Sequence, residues 1–317
     1  MRRIALALAL LSSFVLTAAG GVTDANAKRP RADEQRPVLP ARVRDKDGRT
    51  VVVRDIRRVV SLNGDITETI FTLGLGNRLV GVDTSALYPP ARVARIKKIG
   101  YQRTLSAEGI LSLRPTLVIG SAEAGPPEVI NQLKSAGVTV VIIRANDAIG
   151  AGPWKLREVG KALGVPRRGE RLAKQVARQI SVAGREARSV REHPRVAFLY
   201  LRGPRTQLIA GTRTRADTMI RAAGGINAGA EIGIDDYKPI TAEALVSSRP
   251  DVLLVLDDGL ASVGGVPGLM RIPGVAQTPA GRNRRVLHYD DLLLLGLTPR
   301  TGRALRALVR GFHPELD

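Results

Sequence analysis

Apolar and polar positions along this chain alternate between two rhythms. Short apolar runs at 58–62, 79–82, 116–120 and 138–143 read as strands. Between them, 65–73 and 128–136 carry apolar residues every three or four positions and end at Gly74 and Gly137, which predicts helices with glycine stops. After residue 194 the same rhythm returns. Strands are predicted at 195–201, 252–256 and 285–288, and helices at 216–223, 242–248 and 299–310. Strand–helix alternation of this kind builds a mostly parallel sheet with helices on both faces. A Val43 and Val51-Val52-Val53 pair around Asp45-Lys46-Asp47-Gly48 predicts a hairpin over 41–53. The Gly-rich stretch 257–266 reads as a mobile linker.

One stretch between the two series differs from both. Leu172, Val176, Ile180, Ala183, Ala187 and Val190 form one apolar stripe over 167–191, with no proline inside it. About 25 residues at ~1.5 Å each make a rod of nearly 40 Å, long enough to join two bodies. His193-Pro194 stops it.

A repeat supports two bodies. Ser106-Ala-Glu-Gly-Ile-Leu-Ser-Leu-Arg-Pro returns as Thr241-Ala-Glu-Ala-Leu-Val-Ser-Ser-Arg-Pro, 135 positions later, and each copy is followed by an apolar strand. That spacing is far beyond a solenoid period. The expected fold is α/β: two doubly wound α/β lobes with mostly parallel sheets, joined by one long α-helix. The expected organisation is a signal peptide at 1–27, a disordered leader at 28–40, an N-terminal lobe at 41–166, the linking helix at 167–193 and a C-terminal lobe at 194–317.

The beginning of the chain adds a compartment. Arg2 and Arg3 precede an apolar stretch over 4–16, and Ala25-Asn26-Ala27 fits small-x-small cleavage. The apolar stretch is shorter than the ~20 residues of a spanning helix, leaving an uncleaved anchor as the other reading. There is no cysteine, which excludes a lipid-modified cysteine, disulfides, a thiolate nucleophile and Cys-based metal sites. An exported, unanchored protein fits the periplasm of a Gram-negative cell, with cleavage near Ala27. The net charge of +20 favours acidic partners. Basic residues are scattered over every segment and aromatics make up only 3% of the chain, so no nucleic acid is expected as a partner.

Enzyme signatures are sparse. Only His193, His288 and His313 are available, and there is no Gly-x-Ser-x-Gly elbow, P-loop or His-x-x-x-His pair. A triad assembled from distant residues is defined by geometry, so an exported α/β hydrolase stays open as a reading. A ligand cleft between lobes fits better, with strand-end loops lining it. One such loop holds Asn63. Another holds Tyr101 and Arg103. In the second copy of the repeat, Tyr237 and Lys238 precede the helix, with Lys238 in the register of Arg103.

At these residues the chain resembles the periplasmic haem-binding proteins of ATP-driven haem importers, a class with a single helix between its lobes. The resemblance runs from about residue 57 to the C-terminus. It rests on Val60-Ser-Leu-Asn-Gly-Asp-Ile-Thr-Glu, Gly100-Tyr-Gln-Arg-Thr-Leu-Ser-Ala-Glu-Gly-Ile-Leu, Ala216-Asp-Thr-Met-Ile-Arg-Ala-Ala-Gly-Gly-Ile-Asn-Ala, Tyr237-Lys-Pro-Ile and Thr278-Pro-Ala-Gly. The resemblance implies that Tyr101 is the axial ligand of ferric haem carried as cargo. A phenolate is a hard anion suited to ferric iron, and bound metal itself acidifies such a ligand. Arg103 would assist by a nearby positive charge. From spacing alone, Tyr101 is also readable as a packed surface tyrosine.

Some members of that family add a histidine from the second lobe. Here the corresponding loop is Leu201-Arg202-Gly203-Pro204, which implies five-coordinate iron and leaves Arg202 for a propionate or the distal face. Lys238, Lys98 and Arg213 are further propionate candidates, each equally readable as surface charge. Glu108 and Glu243 hold the same position in each repeat copy, and the resemblance implies that such a pair docks on arginines of the inner-membrane ABC permease, which works with its ATPase. An outer-membrane haem receptor system would lie upstream, and the protein is expected to be a monomer. A siderophore or cobalamin binder on the same fold is the nearest alternative.

Overall fold

The structure, a computed structural model, describes residues 36–316. The expected signal peptide and most of the expected leader lie outside the described residues. Where the leader is described it is already fixed. The Val38 N–H donates to the Gly164 carbonyl at 2.8 Å, and Leu39 packs on the first core.

The hairpin is present as β1 (Ala41–Arg44) paired antiparallel with β2 (Thr50–Val53). The first lobe then contributes β3 (Val59–Ser61), β4 (Leu79–Val82), β5 (Lys97–Lys98), β6 (Leu117–Ser121) and β7 (Thr139–Ile143). They form one sheet in the order β5-β4-β3-β6-β7, parallel throughout. β6 is buried at every position, the signature of a strand covered on both faces. Because every strand runs the same way, the loops that follow them gather at one edge of the sheet.

The second lobe holds β8 (Arg195–Leu201), β9 (Gln207–Ala210), β10 (Ile226–Asn227), β11 (Tyr237–Pro239), β12 (Val252–Leu256) and β13 (Val286–Tyr289). The order is β11-β9-β8-β12-β13, with β10 also beside β8. β8, β12 and β13 are parallel, but β9 turns back against β8 and β11 against β9. That return depends on Gly203, which takes φ +70 in the turn.

The linking helix spans Pro166–Ser189, with Gly169, Ala173, Val176, Ala183 and Ala187 buried and Leu172 and Ile180 packed on the cores. It lies against the helix Ala151–Ala162 of one lobe and the helix Thr301–Phe312 of the other. The expected mobile linker at 257–266 is a correction. It forms two short helices, Asp257–Ser262 and Gly265–Met270. Asp257 and Asp258 favour the first turn through the helix dipole. Leu260 and Leu269 are buried, and a Cβ on Gly268 would lie 1.6 Å from the Val263 carbonyl, so glycine here permits close packing.

The sequence repeat is also a structural repeat. Ser106 and Thr241 each cap a helix by accepting from a backbone N–H three residues on. Arg114 and Arg249, at the ends of the two copies, both take left-handed backbone, φ 45 and 43. Arg58 donates to the Leu113 and Arg114 carbonyls, and Arg195 donates to the Ser248 carbonyl, so each strand entry also ties off the repeat helix of its lobe.

Buried charges join the lobes. Lys155 pairs with Asp65 at 2.5 Å and donates to the Gly296 and Leu297 carbonyls of the second lobe, at 2.7 and 3.3 Å. Arg300 of the second lobe pairs through two nitrogens with buried Glu68 at 3.0 and 2.7 Å and lies 3.8 Å over the Tyr88 ring. Removing one partner of a buried pair leaves an uncompensated charge, at about 3–5 kcal/mol. Asp65→Ala is therefore expected to lower the unfolding free energy by about that amount in a denaturant titration, and Asp65→Leu with Lys155→Met by much less. A loss below about 1 kcal/mol in the single variant would contradict this role.

Asp83, at the end of β4, is fully buried. Its Oδ2 accepts from the Ser85 N–H and hydroxyl at 3.0 and 2.6 Å, while Oδ1 has no partner. Burial, with lesser repulsion from Asp65, pushes its pKa up to about 6 against the opposing hydrogen bonds of Ser85 and the charge of Lys98. The folded state thus holds a proton that the unfolded chain has released, and Asp83's contribution is lost as pH rises from about 4 to 6. At ~1.4 kcal/mol per pKa unit, Asp83→Asn should remove a pH-dependent loss of roughly 3 kcal/mol between pH 4 and 7, read as a flatter plot of denaturation midpoint against pH. An unchanged slope would contradict it.

Candidate functional site

The strand-end loops of the two lobes face each other across a cleft of about 390 Å³. From the first lobe it is lined by Asp65, Ser85, Leu87, Tyr101, Gln102 and Glu123. From the second come Tyr200, Arg202, Arg215, Asp258, Asp291 and Leu292. Among the large apolar side chains exposed in the described residues are Leu87 and Tyr101, and both stand in this cleft.

Tyr101 sits on a loop with little freedom. Gly100 takes φ +97, and its carbonyl accepts from the Thr84 N–H at 2.9 Å. The Tyr101 carbonyl accepts from the Thr104 N–H at 2.9 Å. Gly125 donates to the Gln102 carbonyl at 2.8 Å and accepts from the Leu105 N–H at 3.1 Å. The backbone is pinned on both sides, while the side chain is 45% exposed.

Asn63 is the hub of that pinning rather than a lining residue. It is fully buried, donates to Gln102 Oε1 at 2.5 Å and accepts from the Ser121 N–H at 2.7 Å. It joins the loops after β3 and β6 to the Tyr101 loop. Ser85 adds a second tie, since its hydroxyl accepts from the Gly64 N–H at 3.1 Å.

The structure separates several residues that the sequence grouped. Arg103 is exposed next to the cleft but does not line it. Lys238 is exposed on the edge strand β11, outside the cleft. Tyr237 turns inward instead, edge-on to Phe198 and Tyr200 at 6.5 and 5.9 Å, where burial pushes its phenol up to about 12. Lys98 donates to the Ala86 and Asp83 carbonyls at 2.8 and 3.3 Å, and burial lowers its pKa. Arg213 pairs with Asp235 on the exposed surface. Neither Lys98 nor Arg213 lines the cleft.

Arg202 does line it, but it is engaged. It pairs with Asp291, donates to the Leu201 carbonyl at 2.8 Å and lies 4.6 Å over the Tyr200 ring. Burial raises the pKa of Asp291 while Arg202 opposes that shift, and Asp291 Oδ2 has no hydrogen-bond partner.

Sequence reasoning missed Arg215. It enters the cleft from the second lobe, pairs with Glu123 of the first and donates to Asp147 Oδ1 at 2.7 Å. Burial works against its charge, yet Glu123, Asp147 and Asp65 outweigh that and hold its pKa above the ordinary arginine value. Glu123 and Asp291 were findable, because both follow apolar strands and strand-end loops line such clefts. The cleft therefore offers apolar and aromatic walls, two arginines held by carboxylates, and one exposed phenol. Such a surface suits a flat, largely apolar ligand that carries anionic groups.

Comparison with known proteins agrees with this geometry. The sequence profile described as Periplasmic binding protein matches residues 59–293. The periplasmic heme-binding protein RhuT from Roseiflexus sp. RS-1, in apo form, is 55% identical, covers 83% of this chain and 100% of its own, and superposes with a TM-score of 0.81. The periplasmic heme-binding protein BhuT, solved in complex with two hemes, is 43% identical over 82% of this chain and 99% of its own, with a TM-score of 0.76. The vitamin B12-binding protein of Vibrio vulnificus (strain CMCP6) is 23% identical over 81% of this chain and 90% of its own. The two-lobed fold, the cleft at the strand ends and the profile over residues 59–293 together show that this chain belongs to the periplasmic binding protein family.

Proposed function

We propose that this protein captures haem in the interlobe cleft and delivers it to an ABC importer of the inner membrane, performing no chemistry on it. The observation that carries the reading is the exposed Tyr101 phenol, held on a pinned loop at the cleft. The phenolate oxygen would bond ferric iron as the sole protein ligand. Leu87, Leu292 and Tyr200 would pack on the porphyrin. Arg202 and Arg215 carry charge suited to propionates, each by exchanging a carboxylate partner already in the structure. That exchange keeps each guanidinium paired with an anion. Arg103 and Lys238 do not line this cleft.

The family is one of exported binding proteins, and the predicted signal peptide agrees with the periplasm as the working compartment. The protein would act as a monomer there, with haem released by an outer-membrane system upstream. The high identity to two haem-binding structures supports haem over cobalamin.

Glu108 and Glu243 are proposed as the permease contacts. Both are exposed in the first turn of equivalent capped helices, so one permease surface with two arginine clusters could read both lobes in fixed register.

Tyr101→Ala should remove the phenolate-to-iron charge-transfer absorption of the ferric complex and weaken haem binding at least tenfold, while Tyr101→Phe keeps the packing and also loses the band. Retention of both band and affinity in either variant would refute the ligand assignment. Glu108→Ala combined with Glu243→Ala should leave the haem titration unchanged and lower ATP-driven uptake in vesicles carrying the importer. Unchanged uptake would remove the docking role.

A further inference from the structure

A second and larger cavity, about 580 Å³, shares no lining residue with the cleft. Three elements enclose it. The hairpin supplies Arg42, Val43, Arg44, Asp45, Lys46 and Thr50, the end of β7 supplies Ile143 and Arg144, and the helix Ala151–Ala162 supplies Trp154, Glu158 and Lys161. The Lys46 N–H donates to the Ile142 carbonyl at 2.5 Å and fixes the hairpin on the sheet.

The charges in this cavity are unequal. Five basic side chains meet two acidic ones. Both acids are occupied. Asp45 is buried and accepts from the N–H groups of Asp47 and Arg49 at 3.0 and 2.8 Å, closing its own turn. Glu158 pairs with Lys161 at 2.8 Å. Lys46 pairs with Asp47 at 2.6 Å. Arg42, Arg44 and Arg144 remain, and none has an ion-pair partner among the described residues. Arg42 and Arg44 are two apart on β1 and so project from the same face of the strand.

We propose that this cavity binds an anion of the diphosphate class, carrying two phosphate groups on a carbon skeleton. Guanidinium forks match phosphate oxygens in pairs, which favours arginine over lysine for this task. Arg42, Arg44 and Arg144 stand against the single carboxylate of Asp45, which leaves a net charge of about +2, more than one carboxylate balances. The space is larger than the phosphates alone require, and Trp154 gives an aromatic wall for the organic part. A soluble diphosphate ester and a two-phosphate lipid headgroup share this chemistry. The site is independent of the haem reading, since no residue of the Tyr101 cleft takes part.

Trp154 is the only tryptophan in the chain, so its fluorescence reports this cavity alone. Titrating the purified haem-free protein with inorganic pyrophosphate, at ionic strength held constant with sodium chloride, should give a saturable change. Flotation with cardiolipin vesicles against phosphatidylcholine vesicles tests the lipid source. The variant Arg42→Ala/Arg44→Ala/Arg144→Ala should weaken the response at least tenfold while its circular dichroism and haem titration stay unchanged. Pyrophosphate binding alone assigns a soluble ligand, and cardiolipin binding lost in the variant assigns a headgroup. No saturable response to either probe overturns the proposal. So does a response that the variant retains, because general surface charge then accounts for it.

Discussion

The buried ammonium of Lys155 is the constraint on which the arrangement of the two lobes depends. It neutralises Asp65 of its own lobe and is hydrogen-bonded by two carbonyls of the other. A charge taken out of water needs partners from every side, and here those partners come from both lobes. Arg300 with Glu68 repeats the arrangement, and Arg215 with Glu123 carries it to the floor of the cleft. Lobes joined in this way, over a continuous helix packed on both, have little freedom to close as a hinge. The cleft therefore has to exist in advance of its ligand. On the proposed function, binding would change the partners of a few charged side chains rather than the angle between the lobes.

A cleft built in advance explains how its polar groups are held. Each arginine that faces the ligand space is already paired with a carboxylate, so neither guanidinium stands bare against a low-dielectric wall. Tyr101 is treated in the opposite way. Its backbone is fixed by bonds to two neighbouring loops, and its phenol is left open. Preorganised backbone with an uncommitted side chain is what a ligand atom for a metal requires, since the loop pays little ordering entropy when the ligand arrives.

Much of this was legible in the chain itself. The βα rhythm, the hairpin and the linking helix follow from apolar spacing, and the repeat at 106 and 241 marks two lobes that share one local construction down to matched left-handed arginines. The sequence misled where spacing was extended past its physical reach. Register from the repeat put Tyr237 and Lys238 in the cleft, but the second lobe inserts the returning strands β9 and β11, and Asp236 turns with φ +61 just before β11. That turns Tyr237 onto Phe198 and Tyr200. Gly-rich composition at 257–266 hid two helices whose glycines serve close packing rather than motion. Arg215 was invisible because its importance lies in a carboxylate of the other lobe, a pairing that no local pattern encodes.

The central claim is a rigid carrier that recognises haem through one phenolate. It is tested most directly by titrating the purified protein with ferric haem in the presence and absence of excess cobalamin, followed by absorption. The account predicts saturable haem binding with a phenolate-to-iron charge-transfer band, unaffected by cobalamin. Saturable binding of cobalamin that displaces haem, or haem binding without that band, would contradict it.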